Sequence, residues 1–209
     1  MTHHKKAPGI SLSTELRGFF AELVTTATEE RRIESHEATT AYVAALLADF
    51  AHPGAFSKTS LERPFTLLLA EAMESVGHER FERLRALGDG ALYLRGFFRE
   101  HLETRGVALP YVSAVGARAY DGAATMLRAG GGATESGVPD VFGELADRFD
   151  AFVMLLETVS DRLVAQGNAR TPGGVLKLYE RWLKSGSSDI AAALGEHGLV
   201  PQRGSGGLQ

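Results

Sequence analysis

Ser35-His36-Glu37-Ala38-Thr39-Thr40-Ala41-Tyr42-Val43-Ala44-Ala45-Leu46-Leu47-Ala48-Asp49-Phe50-Ala51 is the stretch on which the fold turns. At about 3.6 residues per turn, Tyr42, Val43, Leu46, Leu47 and Phe50 share one side of a helix. Ala41, Ala44, Ala45, Ala48 and Ala51 make most of the other side, and Asp49 is the sole charge past the first turn. A helix apolar nearly all round is expected among other helices, and alanines let those neighbours approach. The spacing therefore predicts a central apolar helix near 35–51, stopped by His52-Pro53-Gly54.

On either side of it the apolar period stays helical, and no segment alternates with β-branched residues as a strand would. An amino-terminal helix is expected over 11–29, capped by Ser11 or Ser13, with Leu16, Phe19, Phe20, Leu23 and Ala27 in its stripe. A helix from near Ser60 carries Phe65, Leu68, Ala72 and Val76, and Gly77 bends or breaks it before Phe81, Leu84 and Leu87. Gly88-Asp89 reads as a helix-ending glycine followed by the cap of the next helix, which runs to Glu103. Further helices are expected over 111–129, 139–166, 172–184 and 188–194. In the third of this set from the end, Phe142, Leu145, Phe149, Phe152, Leu156, Val159 and Leu163 step by threes and fours.

The resulting expectation is an all-α, single-domain bundle of about seven to eight helices over 11–196. A Gly-rich linker lies within it at 130–137, and 1–10 and 197–209 are expected as flexible termini. The 209 residues, 44% hydrophobic, suffice for one core. With 22 Lys plus Arg against 26 Asp plus Glu, the net charge of −4 lacks the positive excess that nucleic-acid binding draws on. The absence of cysteine excludes disulfides, thiolate metal sites and a cysteine nucleophile. His3, His4, Lys5 and Lys6 make the start polar with no apolar run behind it, and the most apolar windows are too short for a bilayer. A cytoplasmic protein without membrane or nucleic-acid partners is the expectation.

Candidate sites are few. Glu71, Glu74 and His78 share one helix face, but that face points away from the apolar stripe, so a solvated surface is expected and no metal site. His101 shares a face with Ala91, Leu94, Phe97, Phe98 and Leu102, which predicts a partly buried imidazole, either hydrogen-bonded in the core or available to a ligand. Tyr93, Tyr111 and Tyr120 read first as packing aromatics. Gly116, Ala119 and Ala123 leave room in an apolar face, to be filled by a neighbouring helix such as 35–51 or by an apolar ligand with His101, Tyr111 or Tyr120 as its polar contacts.

Arg85, Arg95, Arg99 and Arg105 face Asp147, Asp150, Glu157 and Asp161 in the simplest scheme of complementary helix faces, with a docking surface as the alternative. Met154 and Leu155 fall on an otherwise polar face. Joined to the Trp182 helix or to a second copy, they would mark an interface. No phosphate loop, zinc-protease, nucleophile-elbow or dinucleotide motif is present, so no cofactor is expected.

The run Leu87-Gly88-Asp89-Gly90-Ala91-Leu92-Tyr93-Leu94-Arg95-Gly96-Phe97-Phe98, with Tyr111, Gly116 and Tyr120 after it, resembles a pattern carried by uncharacterised all-helical bacterial proteins of unassigned function. It implies no activity, cofactor or site. The alanine-rich helix departs from the polar recognition helix of tetracycline-repressor-type regulators. Two functions are expected in order: a non-enzymatic helical protein acting through protein contacts and self-association, and a binder of a small apolar ligand between helices, with His101 available for catalysis.

Overall fold

The computed structural model describes residues 8–51, 63–130, 139–168, 172–199 and 201. The expected linker at 130–137, the turn at His52-Pro53-Gly54, the helix start near Ser60 and most of both termini lie outside them. Among the described residues all regular structure is helical, in ten helices rather than seven or eight. The chain divides into two compact units, Met1–Leu156 and Glu157–Gln209. No described helix is long and apolar enough to cross a membrane.

In the first unit, α1 (Pro8–Arg31) buries Phe20, Val24 and Ala27. Arg32 then turns left-handed at φ 51°, and the Ile33 N–H closes the end on the Thr28 carbonyl. Next comes α2 (Glu37–Phe50), whose cap position is held by His36 with no side-chain cap of its own. The capping group arrives from α7 (Val141–Asp147): both Glu144 carboxylate oxygens accept from the His36 N–H at 3.2 Å, and the buried Thr39 hydroxyl donates to Oε2 at 2.5 Å. A carboxylate at a helix N-terminus satisfies orphaned donors and meets the positive end of the helix dipole.

Then follow α3 (Phe65–Glu74), α4 (Gly77–Phe97), α5 (Arg99–Thr104) and α6 (Leu109–Ala129). Gly77, at φ +56°, separates α3 from α4. The break expected at Gly88-Asp89 is absent, because α4 runs straight through it. Gly88 lacks a side chain for a packing reason: a Cβ there would stand 2.6 Å from the Tyr120 ring of α6. The chain breaks instead at Phe98 (φ −122°, ψ 30°), and the helix expected over 139–166 breaks at Arg148 (φ −120°, ψ 29°), between α7 and α8 (Phe149–Asn168). These interruptions account for the additional helices.

In this unit α4 packs along α6, and α6 also contacts α3, α5 and α7. Meanwhile α2 packs on α1 and α7 and makes no extensive contact with α4. Its alanine side is only partly covered. Ala44 and Ala48 are buried, Ala41 and Ala51 are exposed, and Ala45 borders an open space described below.

The second unit comprises the end of α8, α9 (Pro172–Ser185) and α10 (Ser188–Glu196). Ala165, Leu178, Trp182, Ile190, Ala193 and Leu194 form its core. Arg181 donates to buried Asp161 at 2.7 Å and to Ser160 at 2.9 Å, while Arg162 pairs with Asp189 at 3.1 Å.

Candidate functional site

The space between α2, α3 and α4 is a cavity of about 520 Å3. Across it the Tyr42 hydroxyl of α2 reaches Asp89 of α4, and Phe50 of α2 packs against Tyr93 of α4 beside it. Leu46 and Phe50 of α2, Phe65 and Leu68 of α3, and Leu87 and Leu94 of α4 supply its apolar wall. Ala45 and Gly90 also border it, and a Cβ built on Gly90 meets nothing within 4 Å.

At its polar end lies Asp89, with 8% of its surface exposed. Its place in the middle of a continuous helix denies it the capping role suggested by the sequence, so its partners come from other helices. The Tyr42 hydroxyl of α2 donates to Oδ1 at 2.7 Å, and the fully buried Tyr120 hydroxyl of α6 donates to the same oxygen at 2.8 Å. Arg85, one turn back on α4, brings Nη1 to 3.6 Å from Oδ2. Burial pushes the Asp89 carboxyl from 3.8 up to about 6, against the opposing pull of the two tyrosine hydroxyls and of Arg85. Both Tyr42 and Tyr120 are raised, first by burial and then by the neighbouring carboxylate, so they remain donors.

Around the mouth, each guanidinium already has a carboxylate. Arg63 hydrogen-bonds Glu71, Arg83 pairs with Glu79 at 2.8 Å, and Arg85 pairs with Glu82 at 2.6 Å. Contact with Arg63 holds the Glu71 carboxyl below its ordinary range. This corrects the expectation that Glu71, Glu74 and His78 face water together. Glu74 and His78 are exposed, while Glu71 turns toward the cavity.

Most residues singled out in the sequence fall elsewhere. His101 is exposed rather than partly buried, because the break at Phe98 rotates α5 so that Leu102 points inward instead. Gly116 is buried beside filled space: a Cβ there would run into the Phe149 ring and stand 2.9 Å from the Ala91 methyl, so Phe149 of α8 and α4 occupy the room assigned to helix 35–51 or a ligand. Tyr111 accepts from the Thr66 N–H at 3.0 Å and thereby caps α3. Tyr93 stacks on Phe97 and packs against Phe50, outside the set of cavity-lining residues. Tyr120 alone reaches the site, through its hydroxyl.

The proposed interface residues part company as well. Met154 is 49% exposed, but Leu155 is 0% exposed in the first unit's core and Trp182 is 8% exposed in the second unit's core. Among the residues of the expected basic and acidic faces, Arg85 pairs with Glu82, Arg99 with Glu103, and Asp161 with Arg181. Asp147 and Asp150 are exposed. Sequence reasoning missed Tyr42 and Asp89 as site residues. The available signal was an aspartate flanked by two glycines inside a helical apolar pattern, a place where a carboxylate without a partner would be costly.

No protein-family model matches the chain, and no curated protein sequence or solved structure matches it.

Proposed function

We propose that the first unit binds a small, mainly apolar molecule in the cavity between α2, α3 and α4. The observation that carries this reading is a space of about 520 Å3 with apolar side chains of three helices along its wall and, among the charged groups that also line it, the buried carboxylate of Asp89. Ligand pockets commonly have volumes of about 300–1,000 Å3. A carboxylate whose burial opposes its own ionisation, bordering such a space, is also a mark of binding and catalytic sites. His101 takes no part, being exposed on α5. Self-association, the first expectation from the sequence, loses two of its three anchors, since Leu155 and Trp182 lie in the cores of their own units.

Nile red, a neutral apolar dye, tests the reading. With the full chain, saturable fluorescence enhancement at one site is expected. Gly90→Phe, which places a ring into open space, should abolish it while circular dichroism is unchanged. Absence of binding, or equal binding by the Gly90→Phe protein, overturns the proposal.

A further inference from the structure

We infer that the cavity is a proton-coupled site: when an uncharged molecule fills it, Asp89 takes up a proton from solvent, and the site binds such molecules more tightly in mildly acidic than in alkaline solution. This rests on the cavity being a binding site and adds how its occupancy is regulated.

The surroundings of the carboxylate divide into a fixed part and an exchangeable one. From α2 and α6 the Tyr42 and Tyr120 hydroxyls both donate to Oδ1, at 2.7 and 2.8 Å. On α4 itself Arg85 comes to 3.6 Å from Oδ2, while its nearer partner is Glu82 at 2.6 Å. The exchangeable part is the cavity, which Asp89 lines with 8% of its surface still exposed. Water in that space is what remains of the carboxylate's solvation. An uncharged body lying along Phe50, Phe65 and Leu68 displaces this water and brings no cation in its place, which penalises the charged form.

Loss of water also strengthens the attraction of Arg85 for Asp89, so the sign depends on which effect prevails. With the cavity open, burial already outweighs Arg85 and the two hydroxyls together and holds the carboxyl at about 6. Filling the cavity adds to the side that prevails. Protonation at Oδ2 leaves Oδ1 to accept from both tyrosines, so the link between α2, α4 and α6 survives. The other charges lining the space are Asp49 of α2, Glu71 of α3, Arg83 of α4 and Arg63, which precedes α3. Asp49 pairs with Arg17 at 3.7 Å, and Glu71 with Arg63 and with Arg83 at 3.8 Å. Contact with Arg63 lowers the Glu71 carboxyl, so it stays ionised where Asp89 titrates. By linkage, a carboxyl that holds its proton more firmly when the site is occupied makes the protonated site hold its ligand more firmly.

Nile red, uncharged in this range, reads the coupling on the full chain. Its affinity for the parent is expected to rise about three- to tenfold between about pH 8 and about pH 5. Asp89→Asn, neutral at every pH, should bind at the parent's acidic affinity across the range. As a second measurement, an NMR titration of the Asp89 carboxyl carbon in the parent should show a midpoint raised by the dye. Affinity independent of pH, affinity that rises with pH, a pH dependence that persists in Asp89→Asn, or a midpoint unmoved by the dye overturns the inference and leaves the cavity as a binding site that Gly90→Phe still blocks. Absence of Nile red binding at every pH removes both.

Discussion

Replacing Asp89 by Asn exchanges a buried ionisable group for a neutral one of the same shape, and the effect on stability should depend on pH in a defined direction. The groups facing Asp89 are Tyr42 from α2, Tyr120 from α6, and Arg85 and Glu82 from α4 itself. Its carboxyl sits at about 6 in the folded chain against 3.8 as the ordinary value. Below 3.8 the group is protonated both folded and unfolded, so its ionisation contributes nothing. Between 3.8 and about 6 the unfolded chain releases the proton first, the folded chain binds more protons, and stability falls as pH rises. Above about 6 both forms are ionised and the full destabilisation persists.

At about 1.36 kcal/mol for each pH unit the destabilisation amounts to about 3 kcal/mol. Asn keeps a carbonyl oxygen for the two tyrosine hydroxyls and carries no charge. Asp89→Asn should therefore match the parent at about pH 4 and exceed it by up to about 3 kcal/mol at about pH 7.5. For a unit of this size that is a rise in Tm of about 6–12 °C. Thermal unfolding followed by far-ultraviolet circular dichroism across this pH range measures the difference, and an NMR titration of the Asp89 carboxyl carbon checks its origin. Parallel pH profiles for the two proteins, or a variant less stable near neutrality, would refute the account of Asp89 as a carboxylate held at the expense of stability.

The glycines of α4 and α6 provide a paired test of the packing. Gly90→Ala should stabilise by about 0.5–1 kcal/mol, since its new methyl meets open space and a helix-interior glycine is removed, whereas Gly116→Ala should cost about 1–3 kcal/mol because Phe149 and Ala91 fill that position. Urea denaturation of both variants reads the opposite signs, and equal effects would contradict the α4–α6–α8 packing. Glu144→Ala should destabilise by about 1–3 kcal/mol by leaving the α2 N-terminus and the buried Thr39 hydroxyl without their acceptor. Amide hydrogen exchange should quicken first at the start of α2, and exchange unchanged there would show that the cap does not hold this end.

A buried carboxylate that weakens the fold near neutrality needs a reason to be there. An apolar residue of similar size beside Tyr42 and Tyr120 would avoid the desolvation of a charge. It would also leave the two tyrosine hydroxyls without their acceptor, so the cost of the buried charge is set against two buried donors kept satisfied.

Much of the helical framework was legible from periodicity. The stripes that bury Val43, Leu46 and Leu47 in α2, or Val112, Val115 and Ala119 in α6, follow from spacing because a helix with one covered face must repeat its apolar residues at that interval. The breaks at Phe98 and Arg148 were not legible. Neither is a glycine or proline, so no local breaker marks either position. His101 was misplaced because its face was extrapolated through a helix that ends four residues earlier, at Phe97.

The residues alone determined that this chain is helical and where most apolar stripes lie, because hydrophobic period and local backbone preference are properties of neighbouring positions. Only the tertiary structure decided which glycines serve as close contacts, that Glu144 caps a helix 107 residues earlier at Glu37, and that Tyr42 and Tyr120 converge on Asp89. Hydrogen bonds between distant segments, and the space left between α2, α3 and α4, depend on how helices are arranged and leave no period in the sequence to read.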